Sequence, residues 1–232
     1  MQFFFIAFAN EKIATLSYWY YEFINLVFNI LLVSKLMDLH KKTNNGYLNL
    51  IIGPMFSGKS TRLIHYIRKY KTLNFNMMVI KPSIDNRYTD TSEICTHNFE
   101  KESCISYGTN QLGNIFTDLH YNNAKIIIIE EGQFFNSLFD HVKQMTDIDK
   151  KIVYVTALNG DSDRNLFGDV YKLLPLCDNI EFMQALCIKC SDGTLGIYSK
   201  RYSDNHEQVC VAGASVYQPV CREHYFEDKN SV

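Results

Sequence analysis

Two glycines and a lysine at fixed spacing carry the clearest chemical signal in this sequence. The stretch Gly53-Pro-Met-Phe-Ser-Gly58-Lys59-Ser60 fits the pattern G-x-x-x-x-G-K-[ST]. The glycines let main-chain N–H groups wrap around phosphate oxygens, and a helix that follows adds its positive end. Lys59 brings a charge to the terminal phosphates, and the Ser60 hydroxyl can bind a bridging magnesium ion. The motif predicts a nucleoside triphosphate site; the alternative is a chance glycine loop with an exposed lysine.

Two adjacent acids, Glu130 and Glu131, follow an apolar run of four isoleucines. Open α/β sheets bind ligands at the carboxyl ends of their strands, where acids can orient magnesium or accept a proton. Adjacent strand residues point to opposite sides, so we expect one acid near the metal and the other near a second substrate. That division favours a kinase, although hydrolysis uses similar groups. The alternative is a solvated Glu-Glu-Gly turn.

Three cysteines and a histidine form two pairs at metal-ligand spacing. Cys187-x-x-Cys190 and Cys221-x-x-His224 together give the Cys₃His set of a tetrahedral zinc site. Because protein ligands fill all four positions, the metal is predicted to be structural and to close the segment between the pairs. The alternatives are simply buried thiols, or a site in which His224 is not the fourth ligand. The remaining cysteines are interpreted as small buried hydrophobic residues: Cys95, Cys104, Cys177 and Cys210.

The elements around these groups follow an α/β pattern. Four short, largely β-branched runs read as strands buried on both faces, and an apolar spacing typical of a helix follows the glycine loop. We therefore expect a mostly parallel sheet with helices on both faces. After Cys187 the sequence favours short strands and turns. The predicted strands are 47–52, 77–80, 125–129 and 152–157, and the predicted helices are 60–71, 109–120 and 137–144.

Length and charge narrow the function classes. A chain of 232 residues with 47 % hydrophobic content accommodates one ordinary domain and a small second one. The 23 Lys and Arg against 25 Asp and Glu leave no basic excess, so nucleic acid is not an expected partner. Cysteines at metal-binding spacing indicate a reducing compartment, and we expect a cytoplasmic protein.

The first 46 residues differ in composition from the rest. Their cleanest apolar run, residues 23–33, contains Asn25 and Asn29 and is shorter than the ~20 residues that a membrane-spanning helix needs. A membrane anchor and a secretory signal are therefore not expected. We interpret residues 1–46 as a disordered extension and hypothesise that the native start is Met37.

Taken together, the motifs resemble the type II thymidine kinase family. The resemblance covers roughly residues 47–226, in order along the chain. It is carried by Gly53 to Thr61, Cys95-Thr-His, Glu131-Gly-Gln-Phe-Phe, Ala157-Leu-Asn-Gly, Phe167-Gly168, Leu174-Pro-Leu, Lys200-Arg201, Tyr217 and Cys221. It implies a P-loop, RecA-like ATP-binding domain over residues 47–184 and a small zinc-binding domain with a lasso loop over 185–226, followed by a tail, 227–232. It also implies thymidine and Mg-ATP as substrates and assembly as a homo-oligomer, usually a tetramer.

The resemblance also assigns roles by position. Glu131 would be the general base, and Arg164 an additional cation facing the phosphates. The nucleotide and metal set would be Gly53, Pro54, Met55, Phe56, Ser57, Gly58, Lys59, Ser60, Asp85, Arg87, Glu130 and Gln133. The nucleoside set would be Phe134, Leu158, Phe167, Gln208, Val209, Cys210, Val211, Ala212 and Tyr217, with Met55 shared and the lasso reading the base through main-chain groups.

Four positions depart from the family pattern. Glu130 stands where an aspartate is usual, Asn159 where an acid is usual, Ser162 where an aromatic residue is usual, and His224 where the last cysteine is usual. Ser162 is expected to relax discrimination between thymidine and related pyrimidine nucleosides. Two rival interpretations stay open: a P-loop ATPase whose zinc module binds nucleic acid, and a nucleotide-binding regulator without activity.

Overall fold

The computed structural model describes residues 44–85, 92–96, 100–204 and 207–227. The chain divides into two compact units, 1–44 and 45–232, and the first lies almost entirely outside the described residues. The predictions for the N-terminal extension and for Met37 therefore fall outside what the structure describes. The same holds for Arg87 and for the end of the tail, residues 228–232.

A six-stranded sheet forms the centre of the second unit. Its strands are β1 (Tyr47–Gly53), β2 (Met77–Pro82), β5 (Ile105–Tyr107), β6 (Ile126–Ile129), β7 (Ile152–Leu158) and β8 (Asn179–Phe182). They lie in the order β5-β2-β6-β7-β1-β8, and every pairing among them is parallel. A hairpin of β3 (Glu93–Cys95) and β4 (Lys101–Ser103) lies outside this sheet. The prediction of a mostly parallel sheet is confirmed.

Side chains of the strands alternate between the two faces of the sheet, so both faces need a covering layer. The structure has one layer on each face. Leu48, Leu50 and Val153 belong to the main apolar core, together with residues of α3 (Leu138–Lys143). On the opposite face Tyr154 meets α1 (Lys59–Lys71), where its hydroxyl lies 2.6 Å from that of Tyr70. Fully burying one such aliphatic side chain stabilises the fold by about 1.5 to 3 kcal/mol. This layered core holds the strand ends in register.

The four predicted strands and the helix after the glycine loop are confirmed, but one helix prediction is wrong. Residues 109–120 do not form a helix: a 3₁₀ segment spans Leu112–Thr117, and the short helix α2 spans Leu119–Asn123. Asp118 between them is extended, and its Oδ1 accepts a hydrogen bond from the His120 N–H at 2.7 Å. Leu112 and Ile115, three residues apart, are both buried, which is the period of a 3₁₀ turn. The buried side chains of this segment therefore repeat every three residues, as in a 3₁₀ helix, and not every 3.6 residues as in an α-helix.

The C-terminal part contains short elements, as predicted. The strands β9 (Ala185–Leu186) and β10 (Leu195–Gly196) pair antiparallel, as do β11 (Tyr198–Arg201) and β12 (Tyr217–Val220). The last element is helix α4 (Arg222–Phe226). Within the described ranges the structure contains no helix long and apolar enough to cross a bilayer.

Candidate active site

The loop from Gly53 to Gly58 joins β1 to α1 in a conformation that needs its glycines. A Cβ added at Gly53 would lie 2.3 Å from the Met183 carbonyl oxygen, so this position accepts no side chain. Gly58 has a φ of 84°, in the left-handed region that favours glycine. Inside the loop, the Lys59 Nζ and the Ser57 hydroxyl both donate to the Pro54 carbonyl at 2.8 Å. Contacts within the protein thus shape the loop.

A cleft of about 800 Å³, its open mouth included, lies in front of this loop at the carboxyl ends of the strands. Lys59, Glu130 and Glu131 are each less than a tenth exposed there. A cation at the start of α1 and two acids directly after β6 give the cleft the charges that bind a metal–triphosphate complex. The lining consists of Met55, Phe56, Gly58, Lys59, Ser60, Thr61, Asp85, Cys95, Thr96, Glu130 and Glu131.

The two acids do not divide between opposite sides, as strand alternation led us to expect. Strand β6 ends at Ile129, and Glu131 adopts a left-handed conformation with φ 49° and ψ 49°. Both acids therefore line the same cleft. The Glu131 main-chain N–H donates to the Thr156 hydroxyl at 3.3 Å, and the Gln133 Nε2 donates to the Glu131 Oε2 at 2.6 Å.

A second pocket of about 420 Å³, the open space at its mouth included, adjoins the cleft, and Met55 lines both. Two aromatic rings meet in it edge to face: those of Phe134 and Phe167, with centroids 5.5 Å apart. The Tyr217 hydroxyl donates to the Cys210 carbonyl at 3.0 Å. Aromatic walls with exposed main-chain groups suit a flat, polar-edged ligand. The lining consists of Met55, Gln133, Phe134, Leu158, Gly160, Asp161, Ser162, Phe167, Ser199, Gln208, Cys210, Val211, Ala212 and Tyr217.

Most of the residues expected at the two sites lie there. From the nucleotide set Gly53, Pro54 and Ser57 shape the loop without lining the cleft. Gln133 lines the second pocket instead, where its Oε1 accepts the Leu158 N–H at 3.1 Å. From the nucleoside set, Val209 is not part of the lining.

The structure gives Arg164 a different environment from the phosphate-facing one that we expected. Its guanidinium lies 4.4 Å from the ring centroid of Tyr225 and 4.7 Å from that of Phe226. It is not among the described residues that line the cleft. Stacking on aromatic faces satisfies this cation within the C-terminal part of the chain.

Three residues at the site carried no signal in the sequence. Ser199 on β11 accepts the Met55 N–H at 2.9 Å, Thr156 holds the main chain of Glu131, and Asp161 lines the second pocket. A lone serine, threonine or aspartate outside a motif gives no indication of such contacts. Ser162 also lies in this wall, where its hydroxyl accepts from the Arg201 Nη2 at 2.6 Å.

The predicted metal ligands converge. The ligand atoms of Cys187, Cys190, Cys221 and His224 all lie within 4.8 Å of one another. The Cys190 and Cys221 sulfurs are 3.8 Å apart, and the His224 Nδ1 lies 3.2 to 3.5 Å from the three sulfurs. Tetrahedral zinc spaces such ligand atoms by roughly 3.5 to 3.8 Å. The His224 Nε2 lies 3.5 Å from a Glu227 oxygen, the carboxylate support that ligand histidines commonly have. The donor set therefore fits a zinc ion.

The other four cysteines differ in burial. Cys95 and Cys104 are buried, as predicted, and burial raises the pKa of the Cys104 thiol to about 12. Cys177 and Cys210 are only partly buried, so the interpretation as core residues is wrong for them. Cys210 lies in the wall of the second pocket, where its main chain meets Tyr217.

Comparisons with known proteins agree with this geometry. A family model described as thymidine kinase matches residues 46–225. Among curated proteins, the thymidine kinase of fowlpox virus is 34 % identical over 188 residues, which cover 80 % of this chain and all of that protein. The thymidine kinase of vaccinia virus (strain Western Reserve) is 35 % identical over 184 residues, 79 % of this chain and 99 % of that one. The thymidine kinase of rice is 36 % identical over 188 residues, 78 % of this chain and 67 % of that one.

Proposed function

Because the chain belongs to the thymidine kinase family, we propose that it transfers the γ-phosphate of ATP to the 5′-hydroxyl of thymidine. One observation carries the proposal: Glu131 lies where the two pockets meet. It lines the cleft, and the Gln133 side chain that lines the second pocket donates to its carboxylate at 2.6 Å. An acid so placed can reach the hydroxyl of a nucleoside whose donor phosphate lies in the cleft.

The cleft is proposed to hold Mg-ATP, as the P-loop of a RecA-like domain does. Main-chain N–H groups of the loop and the first turn of α1 would bind the phosphates. Lys59, which donates to the Pro54 carbonyl in the structure, would turn its ammonium to the terminal phosphates. Ser60, Asp85 and Glu130 supply the oxygens that a magnesium ion prefers. The resemblance adds Arg87.

The second pocket is proposed to hold thymidine. The rings of Phe134 and Phe167 offer apolar area to the base at little entropic cost. Cys210, Val211 and Ala212 line the same pocket, and their main-chain groups would pair with the imide of thymine.

In the proposed reaction, Glu131 accepts the proton of the 5′-hydroxyl as the oxygen attacks the γ-phosphorus. The bond to the ADP oxygen breaks, and Lys59 and the loop N–H groups stabilise the charge that spreads over the phosphoryl group. Gln133 holds the Glu131 carboxylate in place, and its own carbonyl oxygen accepts the Leu158 N–H. The base is therefore tied through Gln133 to the end of β7.

Zinc is proposed to be the ion held by Cys187, Cys190, Cys221 and His224. When bound it would supply no reaction chemistry, since protein atoms fill its coordination shell. It would connect the turn after β9, which carries Cys187 and Cys190, to the start of α4. Assembly as a homo-tetramer and cytoplasmic location stay predictions.

The test is a coupled assay with thymidine and ATP, on the wild type and on Glu131→Gln. We expect turnover to fall by roughly 100-fold or more, because glutamine cannot accept the proton. ATP binding should change little, since glutamine keeps an oxygen for the Gln133 contact. Glu100→Gln, which alters an exposed acid paired with Arg68, is the matched control and should keep full turnover. Unchanged turnover in Glu131→Gln would remove the base assignment, and no thymidine phosphorylation by the wild type would refute the function.

A further inference from the structure

Residues 207–213, here called the crossing segment, form one wall of the second pocket. Gln208, Cys210, Val211 and Ala212 of this segment lie in the lining, opposite Asp161 and Ser162 of the loop after β7. The crossing segment has no helix or strand. Since no ladder of main-chain hydrogen bonds fixes it, individual side-chain contacts determine where it lies.

Two of these contacts come from the strands that flank the segment. The Arg201 Nη1 donates to the Glu207 carbonyl at 2.7 Å, and the Tyr217 hydroxyl donates to the Cys210 carbonyl at 3.0 Å. Arg201 is on β11 and Tyr217 on β12, the pair from which the segment emerges. Both donors belong to the strands at the base of the segment, and the Arg201 Nη2 also donates to the Ser162 hydroxyl of the loop after β7 at 2.6 Å.

The Gln208 side chain of the crossing segment bonds directly to the loop after β7. Its Nε2 donates to the Asp161 Oδ2 at 2.8 Å and to the Leu166 carbonyl at 3.0 Å. A carboxamide nitrogen carries two hydrogens, so both bonds form at once. Asp161 and Leu166 both belong to the loop that follows β7. The side chain of Gln208 thus joins the two walls.

Asp161 is a rigid anchor for this bond. Its residue is 7 % exposed, and its Oδ1 accepts the main-chain N–H groups of Asp163 at 2.9 Å and Asn165 at 2.8 Å. These bonds fix the carboxylate in its own loop and direct the other oxygen, Oδ2, to Gln208. A bond to a charged group is also stronger than one between neutral groups.

We propose that Asp161 and Gln208 are positioning residues that fasten the crossing segment over the nucleoside pocket. The inference rests on the proposed function, because it takes thymidine as the occupant of that pocket. With the bond intact, the main-chain groups of residues 210–212 are already placed when the nucleoside arrives, so binding does not have to order them. Without it, each binding event must order the segment.

Loss of the Gln208 bonds should change the KM for thymidine but not the KM for ATP. Gln208→Leu keeps most of the side-chain volume but removes both donors. We expect the KM for thymidine to rise roughly threefold to tenfold, as loss of a hydrogen bond to a charged group implies. The kcat and the KM for ATP should stay within about twofold, because neither Gln208 nor Asp161 lines the phosphate cleft. Gln144→Leu, at an exposed glutamine of the π-helical turn after α3, is the matched control.

A second experiment needs no catalytic activity. Glutamyl endopeptidase cleaves after Glu207, which is exposed at the start of the crossing segment. In Asp161→Ala we expect this cleavage to be several times faster than in the wild type, because the segment detaches from the opposite wall more often. Asp163→Ala is the matched control, since the exposed Asp163 contributes its main-chain N–H to the loop.

The outcomes separate the inference from the function on which it rests. Faster cleavage with a selective rise in the thymidine KM supports the fastening. Unchanged cleavage in Asp161→Ala overturns it, whatever the enzyme does. Equal rises in both KM values with a lower melting temperature also overturn it, since they indicate general destabilisation. Faster cleavage in a chain that does not phosphorylate thymidine would support the fastening and refute the proposed function.

Discussion

The phosphate cleft and the metal cluster are built by different means. The cleft lies at the end of a six-stranded parallel sheet, where Ile126 to Ile129 are fully buried and register fixes the loops. The cluster lies among two-residue and four-residue strands and the five-residue helix α4, which has no buried residue. Apolar burial positions the first region, whereas the second depends on converging polar groups.

The apolar side chains of the second region show why. Leu186 is 63 % exposed, Ile188 53 % and Leu195 46 %, so they contribute little burial. Its fixed points are polar: the Lys200 Nζ donates to the carbonyls of His224 at 2.8 Å and Glu227 at 2.5 Å, close to the four metal ligands. A region without its own core needs a metal or a similar crosslink to hold one structure. Loss of metal should therefore affect the second region more than the first.

The largest effect is expected on metal removal. If metal removal had no effect, the contrast between the two regions would be wrong. Chelation of the purified protein should abolish thymidine phosphorylation, because structural zinc contributes on the order of 10 kcal/mol to small metal-bound modules. The central sheet should persist, since its core does not include the cluster. Activity, zinc content and circular dichroism, before and after zinc is restored, check this. Full activity in zinc-free protein would contradict it.

Single cysteine variants serve as the control for chelation. Cys221→Ser should lose zinc and activity, since it removes one of the four ligands. Cys177→Ser should keep both, because the Cys177 sulfur lies against the Leu174 carbonyl, outside the cluster. If both variants lost zinc and activity equally, the effect of Cys221→Ser could not be assigned to the loss of a zinc ligand.

A smaller effect is expected at Ser162, where the two regions meet. Its carbonyl accepts the Tyr225 hydroxyl at 2.7 Å, and its hydroxyl accepts from Arg201. Ser162→Phe should raise the ratio of kcat/KM for thymidine over deoxyuridine roughly threefold to tenfold, because a fuller wall contacts the 5-methyl group. Steady-state kinetics with both nucleosides measure the ratio. Ser162→Ala, which adds no ring, should leave it unchanged, and an unchanged ratio in Ser162→Phe would contradict the role in selectivity.

The smallest effect is expected at a polar network within the first region. The Glu181 carboxylate on β8 accepts from Asn49 at 2.7 Å, Tyr66 at 2.6 Å and Arg62 at 2.6 Å. Burial alone would raise the pKa of Glu181, but these hydrogen bonds outweigh it and lower the pKa. A lowered pKa stabilises the fold above the unfolded value of about 4.3, and this contribution is lost as pH falls through the folded pKa.

Glu181→Gln should therefore lower the melting temperature by about 2 to 4 °C at pH 7, the equivalent of roughly 1 kcal/mol. The difference from wild type should shrink below the unfolded pKa of about 4.3 and disappear as the pH falls through the lowered folded pKa. Thermal unfolding across this pH range measures it. Glu100→Gln, which breaks an exposed ion pair, should shift the melting temperature by less than about 1 °C. If Glu181→Gln lowered the melting temperature more than metal removal does, the comparison between the two regions would be reversed.

Much of the central fold could be predicted from the sequence, because buried parallel strands leave continuous apolar runs. Strands β5 and β8 lack such a run: β5 is half-buried, and β8 has exposed residues on the sheet edge. The segment 109–120 was mistaken for a helix because its spacing of three also fits a 3₁₀ turn. Edge strands and short turns gain their structure from neighbours, which a local pattern does not reveal.

The glycine loop, the acids after β6 and the four metal ligands are recognisable in the sequence, since each group is contiguous or regularly spaced in the chain. The folded chain was needed to show that both acids share one cleft, that Gln133 joins Glu131 to the second pocket, and that Asp161 meets Gln208. The last pair is 47 residues apart in sequence. A contact between distant residues depends on where the intervening chain folds, and a carboxylate or an amide has the same local pattern with or without its partner.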